Sequence, residues 1–302
     1  MRYAPFGEEG QRALSQSRIL VCGCGALGSV AANLLARAGV GYLRIADRDF
    51  VEISNLQRQV LFDENDVAQG LPKAVAAAEK IKRINSQITV DPVVADITAL
   101  NIARIADDVD LIVDGTDNFE TRFLVNDYCV KNGKPWVFGG CIGAEGQSMT
   151  ILPGETPCLR CLIRECPAPG TTPTCDTAGV LGPIVAVVAS IEVIEAMKIA
   201  AGKRGAVSRK LTVIDMWDGA WRTVDVTPLF AQGNCPCCHK KEFPFLQGER
   251  STQTTVLCGR NSVQVTPADP GPTLDELESR WQGLGTVTRN PFLIRLEIDD
   301  YR

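Results

Sequence analysis

The chain of 302 residues has one histidine, His239, and fewer basic than acidic residues. A single histidine argues against a histidine-dependent catalytic triad. Lysines and arginines number 31 and aspartates and glutamates 36, which gives a net charge of −5. Because nucleic-acid-binding surfaces usually carry a basic excess, we expect no nucleic-acid partner.

Long uninterrupted apolar runs are also absent. The N-terminal sequence MRYAPFGEEG has no apolar signal core. The most apolar stretch, residues 183–201, is interrupted by Glu192, Glu195 and Lys198, which are spaced three residues apart. The pattern predicts a largely buried helix ended by Gly202, and not a membrane span. We therefore expect a cytoplasmic protein that has no membrane partner. Its 12 cysteines should serve as metal ligands, reactive thiols or core residues and not form disulfides.

Strand-like and helix-like patterns alternate along most of the chain, which is typical of an α/β fold. Apolar runs predict strands at 18–23, 42–46, 88–94, 111–113, 136–138, 147–152 and 211–215. Helical spacing predicts helices at 26–38, 72–84, 101–106 and 118–130. We expect a Rossmann-like, doubly wound, mostly parallel sheet with helices on both faces.

The last 54 residues differ in character from the rest. We divide the chain into a body, residues 1–248, and a small α+β extension, residues 249–302. Within the extension the patterns predict a strand at 254–265, a helix at 274–281 and a strand at 292–298.

The segment GCGALG, which contains Gly23, Gly25 and Gly28, lies between the first predicted strand and the first predicted helix. Glycines in this pattern allow a tight turn and a close approach to phosphate, and the helix N-terminus offers unpaired N–H groups. Asp47 follows Gly25 by 22 residues, where a carboxylate can bind ribose hydroxyls. The pattern predicts nucleotide binding and leaves both NAD and ATP open.

Three further segments distinguish the two nucleotides: SNLQRQ at 54–59, GLPKA at 70–74 and DGTDNFETR at 114–122. At these segments the chain strongly resembles the ThiF/MoeB/HesA family. Its members are bacterial relatives of the ubiquitin-activating enzymes, and they adenylate the C-terminal glycine of a ubiquitin-like sulfur carrier. The resemblance covers about residues 10–239 and implies that the body is an ATP-binding adenylyltransferase domain.

Attack of a carboxylate on the α-phosphate of ATP joins two anions, so the site must neutralise charge and align the reactants. The resemblance implies that Arg58 and Lys73 contact the phosphates and that Asp117 holds Mg²⁺. The alternative interpretation is two surface charges and a turn residue, which their joint occurrence in order disfavours. The full set of implied nucleotide-binding residues is Gly23, Gly25, Gly28, Asp47, Asp49, Asn55, Arg58, Gln59, Lys73 and Asp117.

Two CxxC pairs predict a metal site. Cys158 and Cys161 form the first pair, and Cys235 and Cys238 form the second. Each pair can place two thiolates on one metal, and four thiolates complete a closed tetrahedral site for Zn²⁺. We expect a structural zinc, which the family also carries at matching positions. Cys237 and His239 remain alternative ligands.

Cys175 lies between a stretch rich in proline, glycine and threonine, residues 167–174, and the apolar helix. A thiolate near a helix N-terminus has a lowered pKa and is more nucleophilic. The position matches the cysteine that accepts the activated carrier or its sulfur in ThiF-type members, whereas MoeB-type members do not need it for adenylation. A covalent role and a structural role both stay open, and we place Cys175 with Arg58, Lys73 and Asp117 as catalytic candidates.

The expected function is ATP-dependent adenylation of a ThiS- or MoaD-type carrier with a Gly-Gly C-terminus, for sulfur transfer in thiamine, molybdopterin or related biosynthesis. The expected partners are that carrier, a second copy of the chain and a sulfur donor such as a cysteine desulfurase. One departure concerns the family's N-terminal Arg-Tyr-x-Arg-Gln segment: if Arg2 and Tyr3 begin this segment, Pro5 stands at the place of its second arginine. Two alternatives stay open: a non-catalytic carrier-binding member and an NAD-dependent oxidoreductase.

Overall fold

The computed structural model describes residues 3–168, 171, 178–249, 254–257, 262–265 and 271–298. Twelve strands are assigned within these residues. They are β1 (Arg18–Cys22), β2 (Tyr42–Ala46), β3 (Thr89–Val93), β4 (Leu111–Asp114), β5 (Trp136–Ile142), β6 (Glu145–Ile151), β7 (Lys210–Asp215), β8 (Ala220–Asp225), β9 (Thr254–Leu257), β10 (Ser262–Val265), β11 (Thr286–Arg289) and β12 (Ile294–Glu297).

Eight of these strands form one sheet in the order β3-β2-β1-β4-β5-β6-β7-β8. The first five strands in that order run parallel, with Ile19 of β1 opposite both Leu43 of β2 and Leu111 of β4. The pairs from β5 to β8 are antiparallel. The predicted Rossmann-like, mostly parallel sheet is therefore confirmed, and an antiparallel half extends it.

Helices cover the two faces of the sheet. They are α1 (Gly7–Gln16), α2 (Ala26–Ala38), α3 (Glu64–Ala68), α4 (Lys73–Ile84), α5 (Ile102–Ala106), α6 (Phe119–Asn132), α7 (Leu159–Leu162), α8 (Gly182–Ala200), α9 (Thr227–Ala231) and α10 (Leu274–Trp281). Alternate residues of a strand point to opposite faces. Ile19 and Val21 of β1 accordingly join the core under α2, α4 and α8, whereas Leu20 and Cys22 join the core under α5 and α6.

Helix α8 is the predicted apolar helix. It spans Gly182–Ala200, and its charged residues Glu192 and Glu195 are both buried. Gly202 follows with a φ of +71°, in the left-handed region that favours glycine after a helix end. None of the helices in the described ranges is both long enough and apolar enough to span a bilayer.

The extension differs in detail from the prediction. The single strand predicted at 254–265 is wrong, because two antiparallel strands, β9 and β10, occupy its ends. Residues 258–261 between them lie outside the described residues, and their sequence, CGRN, contains turn-forming glycine and asparagine. Helix α10 is confirmed, and β12 lies within the strand predicted at 292–298. Its partner β11 and the sheet strand β8 were missed because both are largely exposed and therefore lack a continuous apolar run.

Candidate functional site

The glycine loop lies at the carboxyl end of β1, which has β2 on one side and β4 on the other. The chain leaves β1 for β2 and β3 in one direction and later for β4 and β5 in the other, so the connections diverge at this point. Open α/β sheets bind ligands in the crevice at such a switch point. The segments that follow β1, β2 and β4 all lie at this edge of the sheet.

The glycine loop is packed tightly on its protein side. Gly23 has a φ of +84°, which glycine adopts without strain. A Cβ added to Gly28 would lie 1.9 Å from the carbonyl oxygen of Gly23, and one added to Gly115 would lie 2.4 Å from the same oxygen. These glycines are needed because strand, loop and helix backbones touch.

Gly25 is different. A Cβ built there finds its nearest described neighbour at 3.9 Å, the carbonyl oxygen of Gly115. Gly25 is also the N-cap of α2, and no side chain caps this helix end. Protein packing therefore does not explain the glycine, and the space in front of the helix N-terminus suits a phosphate.

Asp47 follows β2 and holds the loop in place. Its carboxylate accepts hydrogen bonds from the backbone N–H of Cys24 at 2.6 Å and of Asp49 at 2.7 Å. Burial raises the pKa of Asp47, and the Lys73 ammonium opposes that shift. Each carboxylate oxygen retains a lone pair for a further donor such as a ribose hydroxyl.

Lys73 is the first residue of α4, and its side chain is almost fully buried. Its Nζ donates to the Asp49 carboxylate at 3.0 Å, and its backbone N–H donates to the Asp49 carbonyl at 2.8 Å. Burial disfavours the charged form of Lys73, but the carboxylates of Asp47 and Asp49, joined by Asp117, raise its pKa above the usual value. The structure thus brings one buried cation and three carboxylates together beside the glycine loop.

The SNLQRQ segment supplies three more predicted residues. Asn55 ends a short 3-10 helix, Ile53–Asn55, and its buried side chain accepts from the backbone N–H of Glu52 at 3.3 Å. Arg58 Nη1 donates to the carbonyl of Ser54 at 3.0 Å. Asn55 therefore holds the turn, and Arg58 is half-buried within it.

Gln59 reaches the glycine loop. Its side-chain Nε2 lies 4.0 Å from the position of a Cβ on Gly25. Its Oε1 is buried and has no hydrogen-bond partner among the residues that the structure describes. An unpaired buried amide oxygen costs free energy, so a ligand donor or water at this place would satisfy it.

Asp117 is exposed in the turn between β4 and α6. The turn is held by its neighbours: Asn118 caps α6 by accepting from the N–H of Thr121 at 2.8 Å. Below it, buried Asp114 accepts from Arg122 Nε at 3.1 Å, and Arg122 also donates to the Thr116 carbonyl at 2.7 Å. Asp117 is thus an exposed carboxylate on a firmly held turn.

Glu192 of α8 lies beneath this turn and was not predicted to have a role. It is fully buried, and within the described ranges neither carboxylate oxygen has a hydrogen-bond partner. Burial raises its pKa well above the usual value, the negative charge of Asp114 adds to the shift, and Arg122 opposes it. Gly139 leaves room for this side chain, because a Cβ there would lie 2.4 Å from the Glu192 carboxyl.

The four predicted metal ligands lie together. Their Sγ atoms are all within 4.8 Å of one another, with Cys158 at 3.9 Å from Cys161 and at 3.6 Å from Cys235, and Cys161 at 3.4 Å from Cys238. Four sulfurs around one Zn²⁺ are about 3.8 Å apart when each zinc–sulfur bond is about 2.3 Å. The separations fit a tetrahedral metal site and are far longer than a disulfide bond.

Residues of α6 hold both halves of this cysteine cluster. Asn126 accepts from the backbone N–H of Leu159 at 2.8 Å and donates to Cys237 Sγ at 3.3 Å. Buried Asp127 pairs with Arg160 at 3.4 Å and accepts from the N–H of Phe245 at 3.2 Å. Cys237 therefore packs behind the four ligands, and His239 contacts Cys238 at 3.3 Å through Nδ1.

Cys175 lies outside the described residues, so its place relative to the crevice stays a prediction. Three residues of the crevice were missed as functional candidates although they lie in the DGTDNFETR segment: Asp114, Gly115 and Arg122. The available signal was the position of this segment directly after a predicted buried strand.

Comparison with known proteins agrees with the resemblance. The chain is 43% identical over 302 residues to the sulfur carrier protein ThiS adenylyltransferase of Bacillus subtilis, a match that covers 99% of this chain and 88% of that protein. It is 42% identical over 232 residues to the SAMP-activating enzyme E1 of Haloferax volcanii, which covers 77% of this chain and 84% of that protein. The crystal structure of E. coli MccB with ATP shares the fold, with a TM-score of 0.65 and 23% identity over 76% of this chain and 69% of MccB.

None of these matches favours the NAD-dependent oxidoreductase that the glycine loop alone had left open. The ThiF family model matches residues 1–237, which include the glycine loop, the three diagnostic segments and three of the four clustered cysteines. The chain belongs to the ThiF family.

Proposed function

We propose that this protein uses ATP to adenylate the C-terminal glycine of a ubiquitin-like sulfur-carrier protein. The observation that carries the proposal is Lys73, a buried ammonium that donates to Asp49 beside a glycine loop with room for phosphate. The same activity is stated in the name of the Bacillus subtilis relative that matches nearly the whole chain.

In the proposed reaction a carboxylate oxygen of the carrier attacks the α-phosphorus of ATP. A bond forms between that oxygen and phosphorus, the bond from the α-phosphorus to the bridging oxygen breaks, and pyrophosphate leaves with its electron pair. Carboxylate and triphosphate repel each other, so the residues that surround them must supply positive charge and alignment.

The residues of the crevice divide this work. The N-terminus of α2 in front of Gly25 would receive phosphate oxygens, and Asp47 would accept hydrogen bonds from the ribose. Lys73 would exchange Asp49 for a phosphate oxygen, and Arg58 would approach from the SNLQRQ segment. The unpartnered Oε1 of Gln59 would accept a hydrogen bond from the ligand or a water molecule.

Asp117 would hold Mg²⁺ at the crevice. Its carboxylate is exposed at the carboxyl end of β4, and oxygen ligands of this kind suit a hard cation that also binds phosphate. Magnesium, when bound, neutralises charge on the departing pyrophosphate.

Zn²⁺ would occupy the cysteine cluster, with Cys158, Cys161, Cys235 and Cys238 as ligands. A site of four thiolates has no open position for water, so the metal would fix structure and not take part in the reaction.

The proposed partners are a carrier of the ThiS or MoaD type with a Gly-Gly end, a second copy of this chain and a sulfur donor such as a cysteine desulfurase. Thiamine, molybdopterin or a related pathway would use the product. Whether Cys175 accepts the activated carrier covalently stays a prediction.

The direct test is ATP–pyrophosphate exchange in the presence of a carrier that ends in Gly-Gly. Asp117→Ala should lower the exchange rate by about two to three decades, because a charge-compensating contact is lost. Glu79→Ala, which removes an exposed carboxylate on α4, is the control and should keep the wild-type rate. No exchange with any such carrier, or wild-type exchange in Asp117→Ala, would contradict the corresponding part of the proposal.

A further inference from the structure

The C-terminal extension touches the segment that leads to Lys73. Asn290, in the turn between β11 and β12, donates from Nδ2 to the carbonyl of Gly70 at 2.9 Å and to that of Gln69 at 3.3 Å. Gly70 has a φ of +59°, and a Cβ there would lie 3.1 Å from the same Nδ2. Residues 271–298 lie beyond the part of the chain that the family model matches, so the adenylyltransferase chemistry leaves this contact unassigned.

The Asn290 amide is held in one orientation by its own turn. Its Oδ1 accepts from the backbone N–H groups of Phe292 and Leu293, both at 2.8 Å. Its backbone N–H donates to the carbonyl of Leu293 at 2.9 Å. With the oxygen committed to the turn, the Nδ2 donor faces the body of the protein.

Arg289 ties this turn to the rest of the extension. Its guanidinium pairs with Asp275 at 2.7 Å and also with Glu278, both on α10. The N-terminus of α10 is closed by a capping box between Thr273 and Glu276. Helix and hairpin therefore present Asn290 as one unit.

On the other side of the contact, Gly70 connects to Lys73 through only two residues. Leu71 accepts from the backbone N–H of Val51 at 3.0 Å, and Pro72 forms an isolated bridge with Phe50. Lys73 then donates through both its N–H and its Nζ to Asp49. A displacement of the Gly70 turn would pass directly along this short connection to the start of α4.

We propose that Asn290 is a positioning residue for Lys73: the C-terminal extension orders the turn that leads to the phosphate-binding lysine. This inference rests on the proposed function, because it assigns Lys73 to ATP. Without the hydrogen bonds from Asn290, the turn adopts its binding-competent arrangement for only part of the time, and the apparent affinity for ATP falls by that fraction. Chemistry after binding is unchanged, because bound ATP itself orders Lys73.

The kinetic test compares Asn290→Ala with wild type. We expect KM for ATP to rise about three- to tenfold, as for the loss of one or two hydrogen bonds, with kcat within about twofold. Asn290→Asp keeps the acceptor for the turn and loses the donor to Gly70, so it should behave like Asn290→Ala. Arg295→Ala, an exposed change on β12, is the control and should match wild type.

A positioning role is separated from a structural one by calorimetric measurement of Mg·ATP binding in two backgrounds. Asn290→Ala should weaken binding in the wild-type chain and have no further effect in Lys73→Ala, because the residue acts through Lys73. An equal loss of affinity in both backgrounds overturns the proposal, as does unchanged affinity in Asn290→Ala.

Amide hydrogen exchange provides a readout that needs no activity. Backbone amides of residues 66–73 should exchange faster in Asn290→Ala than in wild type, whereas those of β1 and β4 should not change. If the wild-type chain adenylates no carrier, the proposed function fails, and this experiment together with ATP binding still decides the role of Asn290. Unaltered exchange in residues 66–73 would overturn the proposed role of Asn290.

Discussion

The nucleotide crevice and the cysteine cluster are both built from buried polar groups, but they differ in how those groups are satisfied. In the crevice, Gln59 Oε1 has no described partner, and Lys73 is balanced by carboxylates at the edge of an open space. In the cluster, Asn126 and Asp127 are bonded to the segments on both sides, although Arg160 Nε has no partner among the described residues. The first arrangement suits a ligand that comes and goes, and the second suits one that stays.

The difference also explains why the two regions tolerate change differently. A satisfied buried network resists disturbance, since removing one member leaves the others unpaired at a cost of about 1–3 kcal/mol each. A site with unfilled bonding capacity loses ligand affinity before it loses its fold. The predictions for the cysteines and for the glycine loop test the two sides of this contrast.

The largest effect is expected at the cysteine cluster. Cys158→Ser should release the metal and lower the free energy of unfolding by about 4 kcal/mol or more, which corresponds to a fall in Tm of about 10 °C. Elemental analysis and thermal denaturation measure the two outcomes.

The matched control is Cys237→Ser, two residues after a proposed ligand. Cys237 is buried and accepts a hydrogen bond from Asn126, which serine can also accept. This variant should keep a full equivalent of zinc. If it loses the metal while Cys158→Ser retains it, the assignment of the four ligands is wrong.

Two glycines of one loop should separate fold from ligand binding. Gly28→Ala places a methyl group 1.9 Å from the Gly23 carbonyl, so the body should be destabilised by about 3 kcal/mol. Gly25→Ala meets no described atom closer than 3.9 Å, so Tm should stay within about 2 °C while ATP affinity falls at least tenfold. Calorimetry measures both, and tight ATP binding by Gly25→Ala would show that phosphate does not approach there.

The smallest effect concerns the pH dependence of stability through Glu192. Because its folded-state pKa is raised, the folded form binds the proton more tightly, and stability is lost as pH rises above the unfolded value of about 4.3. Glu192→Gln removes this loss, so its stability relative to wild type should increase by at most about 1.4 kcal/mol between pH 6 and pH 7. Denaturant titrations at these two pH values test this; a difference that does not change with pH would contradict it.

Glu195→Gln, on the same helix, should change the free energy of unfolding in the opposite direction. The Glu195 carboxylate accepts from Lys198 at 2.6 Å and from the N–H of Ser208 at 2.8 Å. Its neutralisation removes an ion pair, so this variant should be less stable than wild type at pH 7.

Much of the fold was predictable because the strands of a parallel sheet are buried on both faces and read as continuous apolar runs, as in β1 and β4. The sequence could not show that Gly25 and Gly28 serve different purposes, since that depends on which backbone lies opposite each one. Glu192 had the periodicity of a helix face, but its position under Gly139 depends on tertiary packing. The strand β11 carried too little apolar signal to be recognised.

The strand order also has a consequence for how the chain folds during its synthesis. Ile19 of β1 lies beside Leu43 of β2, 24 residues later, but beside Leu111 of β4 only after 92 residues. During synthesis the central strand therefore has one open edge until β4 emerges, and the apolar helix α8 that covers β4 and β5 follows still later. Contacts of such sequence separation form slowly. The crevice is thus a late product of folding, and a fragment that ends before β4 contains the glycine loop but not the wall against which it packs.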